Sequence, residues 1–401
     1  MSEPSKVTSI KQNKALADEP MRVADAEAAP IALRRAAATE LERYAELLRE
    51  AQSIHGVSLG RDAWRRLRRN WAAMAALMFL ILLTLLSILT PLLPLAPPRA
   101  VNLPRHFEAP QTVTLFVQSW SLPADESARE QVLDQGFGEL GFFSDWLLSL
   151  RAQWFGEWQL NSICGTDLLG RDLFSRLMWG SRVSLAVGLV ATMVSLVIGV
   201  TWGAVAGYTG GRIDNAMMRF VDMLYSIPFI FVVIFLITIL SEPTRIKPFL
   251  DEYGIDRIVI FFVVVGAIYW LTMSRVVRGQ VISLKHNQFI EAARTIGASQ
   301  TRIIFRHLVP NLLSIVIVYL TLTIPSVMLF EAFLSFLGLG VEAPDVSWGL
   351  LANEGVNVIT PVRIYWWLVV FPALALGLTL FSLNILGDGL RDALDPRLKN
   401  R

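Results

Sequence analysis

Six stretches of this chain, at about 72–96, 183–208, 216–240, 258–274, 312–336 and 364–386, are apolar almost throughout. A helix that crosses a bilayer needs roughly 20 such residues at about 1.5 Å rise each. A lipid-exposed backbone must satisfy its own hydrogen bonds, so runs of this length predict spanning helices rather than strands or loops. The composition agrees: 54% of the 401 residues are hydrophobic and 17% charged, against ~25% charged in soluble domains. The expected class is all-α, a polytopic membrane protein with six transmembrane helices. A soluble multidomain enzyme is excluded. Residues 1–70 are polar and hold no apolar run of the signal-peptide kind.

The basic residues orient the bundle. Arg61, Arg65, Arg66, Arg68 and Arg69 stand just before the first stretch. On the same side of an even-numbered bundle lie Arg212 and Arg219, then Arg275, Arg278, Lys285, Arg294, Arg302 and Arg306, and finally Arg391, Arg397, Lys399 and Arg401. The two short loops opposite hold only Arg245, Lys247, Arg257 and Arg363. Cytoplasmic loops are the ones enriched in Lys and Arg, so both termini are expected in the cytoplasm. The organisation that follows is a polar extension over 1–60, with a helix expected at 33–51 presenting Leu41, Tyr44 and Leu48 on one face. A basic juxtamembrane segment and first span occupy 61–98, and a long external segment 99–181. A five-helix core covers 182–390 and a tail 391–401. RDAWRRLRRN at 61–70 reads as an orientation signal that meets anionic lipid; with a formal net charge of +2, nothing points to nucleic acid. Trp120, Trp146, Trp154, Trp158 and Trp179 in the external segment are expected mainly as anchors at headgroup level.

Much chemistry is missing. His55, His106, His286 and His307 are scattered, Cys164 is the only cysteine, and there is no G-x-S-x-G elbow. No glycine precedes any of the six lysines, so the chain lacks a Walker A phosphate loop. No cofactor or metal site is expected, and the chain is not read as an enzyme. The spans are also nearly free of ionisable groups, which argues against an ion-coupled carrier. Asp222 is expected to pair with Arg219, three residues earlier on its helix, and Glu331 is expected near the outer end of the fifth span.

Function then falls on the basic loop between spans four and five, SLKHNQFIEAARTIGASQTRIIFRHLVPN at 283–311. Phe289, Ala292, Ala293 and Ile296 share one helical face. Gly297 suits the left-handed end of that helix, Ser299 can cap a second, and Pro310 is expected to close the second before the fifth span. Such a helix–turn–helix suits insertion into a partner's groove.

Glu291-Ala292-Ala293 with Gly297 and Pro310 resembles the EAA loop of importer-type ABC permeases. The strings GTDLLGRDLFSR (165–176), YTGGRID (208–214), MLYSIPF (223–229), RVVRGQ (275–280), FEAFLSFLGLG (330–340) and GDGLRDALDP (387–396) are similar to the C-type subunits of the peptide and nickel branch. The resemblance covers most of 162–396 and loosely the first span. It implies the architecture of a type I ABC importer permease in the bacterial inner membrane. Glu291, Ala292, Ala293, Gly297, Arg302 and Pro310 would couple to two P-loop ATPase subunits, which bind ATP and Mg. A homologous second permease subunit would complete a heterodimer, and an extracytoplasmic solute-binding protein would deliver a peptide substrate. The same family leaves room for dipeptides, nickel chelates, murein peptides or a peptide antibiotic.

Outside that loop, Asp167, Arg171 and Asp172 read as an amphipathic segment at the outer interface, held by local ion pairs. With Glu331 they are candidates for an outer gate or a seat for the binding protein. Gly188, Gly199, Gly203 and Gly207 invite close helix packing, and Pro228 and Pro325 can kink spans three and five. Asp388, Asp392 and Asp395 with Arg391 and Arg397 read as a solvated helix end.

Overall fold

A computed structural model describes residues 59–394, apart from 112–115, 119–125, 139, 157, 241–256, 342 and 344. The expected helix at 33–51, Trp120, the loop cations Arg245 and Lys247, and the tail beyond 394 lie outside the described residues. The chain divides into two compact units, Met1–Arg61 and Asp62–Arg401, and almost every described residue belongs to the second.

Helix α1 (Leu59–Leu67) is followed closely by α2 (Trp71–Ile88), whose N-terminus Asn70 caps through its side chain. The first apolar stretch stops being α-helical at Ile88. Pro91 sits in a 3-10 turn (Thr90–Leu92) and the chain then runs out irregularly. The segment between the first two spans includes a short antiparallel pair, β1 (Phe116–Gln118) with β2 (Trp158–Leu160), in which Val117 faces Gln159. Between the strands lie α3 (Glu126–Phe137) and α4 (Phe142–Phe155). Trp146 and Trp154 are exposed, as headgroup anchors would be, whereas Trp179 packs on Phe137 and under Arg182.

Helix α5 (Leu173–Thr209) begins ten residues before the predicted span, because Asp172 caps it by accepting from Ser175 N. The third stretch is not one helix. It comprises α6 (Gly211–Ser226) and α7 (Phe229–Leu240), bent by 79° between them. The residue before a proline avoids the helical region, and Ile227 is extended at φ −84°, ψ 121°. Pro228 thus breaks the span rather than kinking it. Helix α8 (Arg257–Leu284) continues ten residues past its predicted end.

Then come α9 (Gln288–Thr295), α10 (Gln300–Arg302), a π-helical turn (Ile303–Leu308) and α11 (Val309–Phe336). Pro310 therefore does not close a separate helix. A proline ring collides with the carbonyl four residues back and offers no N–H. The wider π turn absorbs that misfit, with Val309 N bonding Ile304 O, and the chain runs unbroken into α11. Pro325 is likewise tolerated inside α11, where Ser326 donates to Leu322 O. A helix absent from the sequence reading, α12 (Trp348–Asn357), precedes α13 (Trp367–Leu394). Among the described residues five helices are long and apolar enough to span a membrane, or six if the bent pair is one span.

Close backbone approach holds the core. On α5, an added Cβ at Gly199, Gly203 or Gly207 would lie 2.6 Å from Met273 Cβ, 2.3 Å from Ser274 O and 2.8 Å from Arg278 O of α8. The return contact is made by Gly266 of α8 against Ala191 O. Small residues of this kind let helices associate where lipid removes the hydrophobic drive between them. Gly188 performs the same service against Met328 of α11.

Candidate functional site

The EAA segment is built as a seat and a face. Asn287 precedes α9, Gly297 lies at φ +83°, where a side chain is strained, and Ser299 accepts from Arg302 N at the next helical start. Ile290 and Ala293 are buried with Val277 and Val281 of α8, Ala204 of α5, and Ile303, Ile304 and Leu308 of the π turn. The predicted common face of Phe289, Ala292, Ala293 and Ile296 is thereby divided. Ala293 turns inward beside Ile290, while Phe289 (39% exposed), Ala292 and Ile296 (86% exposed) stay outside together with Glu291. An amphipathic period locates a stripe without saying which edge another helix will cover. Arg302 and Pro310 are exposed as well.

Polar bonds tie this segment to the spans. Lys285 Nζ donates to Gly207 O at 3.1 Å, Arg294 lies over the Tyr208 ring, and Arg278 grips Asp214 through two bonds of 2.5 and 2.7 Å. Asp222 pairs with Arg275 of α8 at 2.7 Å, rather than with Arg219 as predicted, and Arg275 also covers the Tyr225 ring. The local partner loses because the next helix brings a guanidinium against the carboxylate.

At the opposite end of α5, residues 165–172 form a closed turn, not an amphipathic segment. Gly165 and Gly170 have φ of +81° and +71°, and Thr166 bridges to Asp172. Asp167 is buried and accepts from Leu169 N and Arg171 N at 2.9 Å each, and from Arg171 Nε and Arg176 Nη1 at 2.7 Å each. Arg176, 1% exposed, also binds Glu354 of α12 through Nη1 and Nη2, and Arg171 reaches Glu354 at 3.4 Å. The expected local ion pairs are thus members of a largely buried network of two acids and two arginines, with Glu354 its part-exposed member. These groups also line a cavity of about 270 Å³.

Arg176 and Glu354 were not among the predicted site residues. An arginine at the head of a long apolar run rarely lacks a partner, and that was the available signal for Arg176. Nothing local marked Glu354. Asp172 stands apart as the cap of α5. Burial pushes its carboxyl up to about 7, against the opposing pull of the Ser175 and Phe174 backbone N–H groups and Arg105, while Asp167 adds to the rise. Cys164 beside it is a buried free thiol pushed up to about 12, by burial first and then by Asp172.

Glu331 lies near the end of α11, as expected, and is fully enclosed. Ser335 Oγ donates to its Oε1 at 2.7 Å, and Ser347, which caps α12, lies next to Ser335. Helix α12 is therefore the element that both clusters touch. It is pinned further by Trp348, whose Nε1 donates to Leu177 O and whose backbone N donates to Ser184 Oγ.

A family model described as "Binding-protein-dependent transport system inner membrane component" matches residues 199–400, and one described as "N-terminal TM domain of oligopeptide transport permease C" matches residues 58–110. The "Dipeptide transport system permease protein DppC" of Bacillus subtilis (strain 168) is 45% identical over 235 residues, covering 59% of this chain and 68% of its own length. The "Oligopeptide transport system permease protein OppC" of Haemophilus influenzae is 46% identical over 233 residues, covering 58% and 70%. A solved structure of the inward-facing MetNI methionine ABC transporter overlaps 54% of this chain and 94% of its own, at TM-score 0.39 and 17% identity. That overlap is too partial to bear on the fold.

Proposed function

The chain belongs to the family of inner membrane components of binding-protein-dependent transport systems, and from that membership we propose that it forms part of the path by which an ATP-driven importer takes up oligopeptides. Members of this family are membrane subunits of ABC importers and leave ATP hydrolysis to partner subunits. Its partners in this reading are a homologous second permease subunit, two P-loop ATPase subunits holding ATP and Mg, and a solute-binding protein on the outer side. In this reading the EAA segment and both termini lie in the cytoplasm, which the excess of Lys and Arg in the loops on that side supports.

One observation carries the coupling role. Helix α9 leaves Phe289, Ala292 and Ile296 exposed on one side, while Ile290 and Ala293 on the other are packed into the core shared by α5, α8 and α11. An ATPase groove closing on the exposed face would push the spans through the buried one. Ordered that way, nucleotide biases a two-state equilibrium between inward-open and outward-open bundles. Glu291, at the first turn of α9, is free to meet the partner, and Gly297 lets the chain turn back toward the π helix. At the outer end, Asp167, Arg171, Asp172 and Glu331 form part of a gate whose moving piece is α12.

The test is peptide uptake by the reconstituted complex. Glu291→Lys and Gly297→Asp are expected to abolish ATP-driven uptake of a labelled pentapeptide while insertion, abundance and the second permease subunit are retained. Normal uptake by both variants would sink the docking role. A dipeptide solute is a second reading, favoured by the likeness to a permease named for dipeptides. ATP-driven uptake of a labelled dipeptide that excess pentapeptide does not compete away would select it.

A further inference from the structure

The surface at the start of α2 takes no part in the coupling or the gate. Helix α2 has 18 residues, about 27 Å at 1.5 Å each, close to the ~30 Å of a bilayer's hydrocarbon core. Trp71 then lies at one edge of the hydrocarbon, and Arg68 and Arg69 fall among the headgroups. Only 22% of α2 is buried within this chain.

Helix α1 cannot leave that level. Leu67 and Ala63 pack against Ala73 and Met74 of α2 and against Leu390 and Ala393 of α13. The seat is tight, for a Cβ at Gly389 would lie 2.5 Å from Ala73 Cβ and 3.3 Å from Leu67 Cδ1. Asn70 fixes the corner by accepting from Ala73 N at 3.1 Å. Asp62 engages Arg66 at 3.1 Å, which leaves Arg65, Arg68 and Arg69 exposed with no acidic partner among the described residues. Trp64 and Trp71 are exposed beside them, at 48% and 81%.

An orientation signal needs charge only while the chain inserts. It does not need a helix packed against the ends of two spans, nor two tryptophans left uncovered beside the arginines. We propose that Arg65, Arg68 and Arg69, with Trp64 and Trp71, form a binding site for anionic phospholipid headgroups. The guanidinium groups take the phosphate and the indoles lie at the glycerol level beneath it. An acidic partner protein would satisfy the charges but would leave Trp71 against acyl chains with no role in recognition. The site depends on the chain being embedded in a bilayer and not on which solute it carries.

The full complex in nanodiscs of equal phosphatidylglycerol and phosphatidylcholine would be stripped stepwise with detergent and its retained lipids counted by native mass spectrometry. The wild-type chain is expected to keep phosphatidylglycerol over phosphatidylcholine, less so at high salt. Replacing Arg65, Arg68 and Arg69 together by Gln should weaken the preference by roughly fivefold per arginine, while the matching Lys variants largely retain it and control for insertion. Equal retention of the two lipids by the wild type would overturn the proposal without any variant. So would a Gln variant that keeps its lipids, or one that loses a protein subunit while its lipid count is unchanged.

Discussion

Arg176→Met is the most informative perturbation of the outer cluster. Asp167 and Glu354 carry two negative charges and Arg171 and Arg176 two positive ones, so the cluster is neutral. Arg176 is 1% exposed and binds both acids. Methionine keeps much of the stem's packing and leaves one uncompensated negative charge between α5 and α12. Removing one partner of a buried pair costs about 3–5 kcal/mol. Two features set the lower end here. Asp167 keeps three donors, from Leu169 N, Arg171 N and Arg171 Nε, and Glu354 is 30% exposed, so water can screen it. A loss of about 3 kcal/mol is therefore expected.

Cys164 supplies the readout. Its buried thiol, pushed up to about 12, should stay silent to a maleimide dye until the packing around Leu173 and Leu177 opens. Heating the purified assembly with the dye measures that opening. Adding Glu354→Gln should recover much of the loss, with a coupling of about 1 kcal/mol or more between the two sites. Strictly additive single variants, or an Arg176→Met protein as stable as the wild type, would refute the bridge between α5 and α12.

Two further outcomes follow from the same geometry. The Asp172 carboxyl is raised from about 3.9 in an unfolded chain to about 7 in the fold. The folded state thus favours the protonated form, and its contribution is whole below pH ~4 and lost as pH rises through about 7. Denaturant titrations should show stability falling across that window, and Asp172→Asn, which still caps Ser175 N, should flatten it; transport unchanged in this variant would count against a gating role. Gly203→Ala places a Cβ 2.3 Å from Ser274 O and should cost roughly 1–3 kcal/mol. Gly279→Ala, with nothing within 4 Å, should be neutral or stabilising in the same thermal assay.

The apolar runs, the loop cations and the EAA string are one-dimensional signals, and each is legible in the sequence. Hydrocarbon thickness dictates a span's length wherever the span lies. Gly297 and Ser299 announce a turn by local backbone preference, and the α5 glycines at a four-residue spacing announce a close helix contact whatever the partner. Proline was only half legible. Pro228 and Pro310 both disturb a helix, yet one breaks it by 79° and the other is absorbed in a π turn, a difference that depends on the neighbouring segments.

Partner choice was not legible at all. Arg275 displaces Arg219 at Asp222, and Arg176 finds Glu354 across 178 residues of chain. Ile290 and Ala293, not Ala292 and Ile296, are the covered edge of α9. In water an apolar face reveals its inner side by contrast with polar residues. Inside a bilayer lipid is as apolar as a neighbouring helix, so hydropathy places the six stretches in the membrane, and only tertiary packing decides which side of each meets protein.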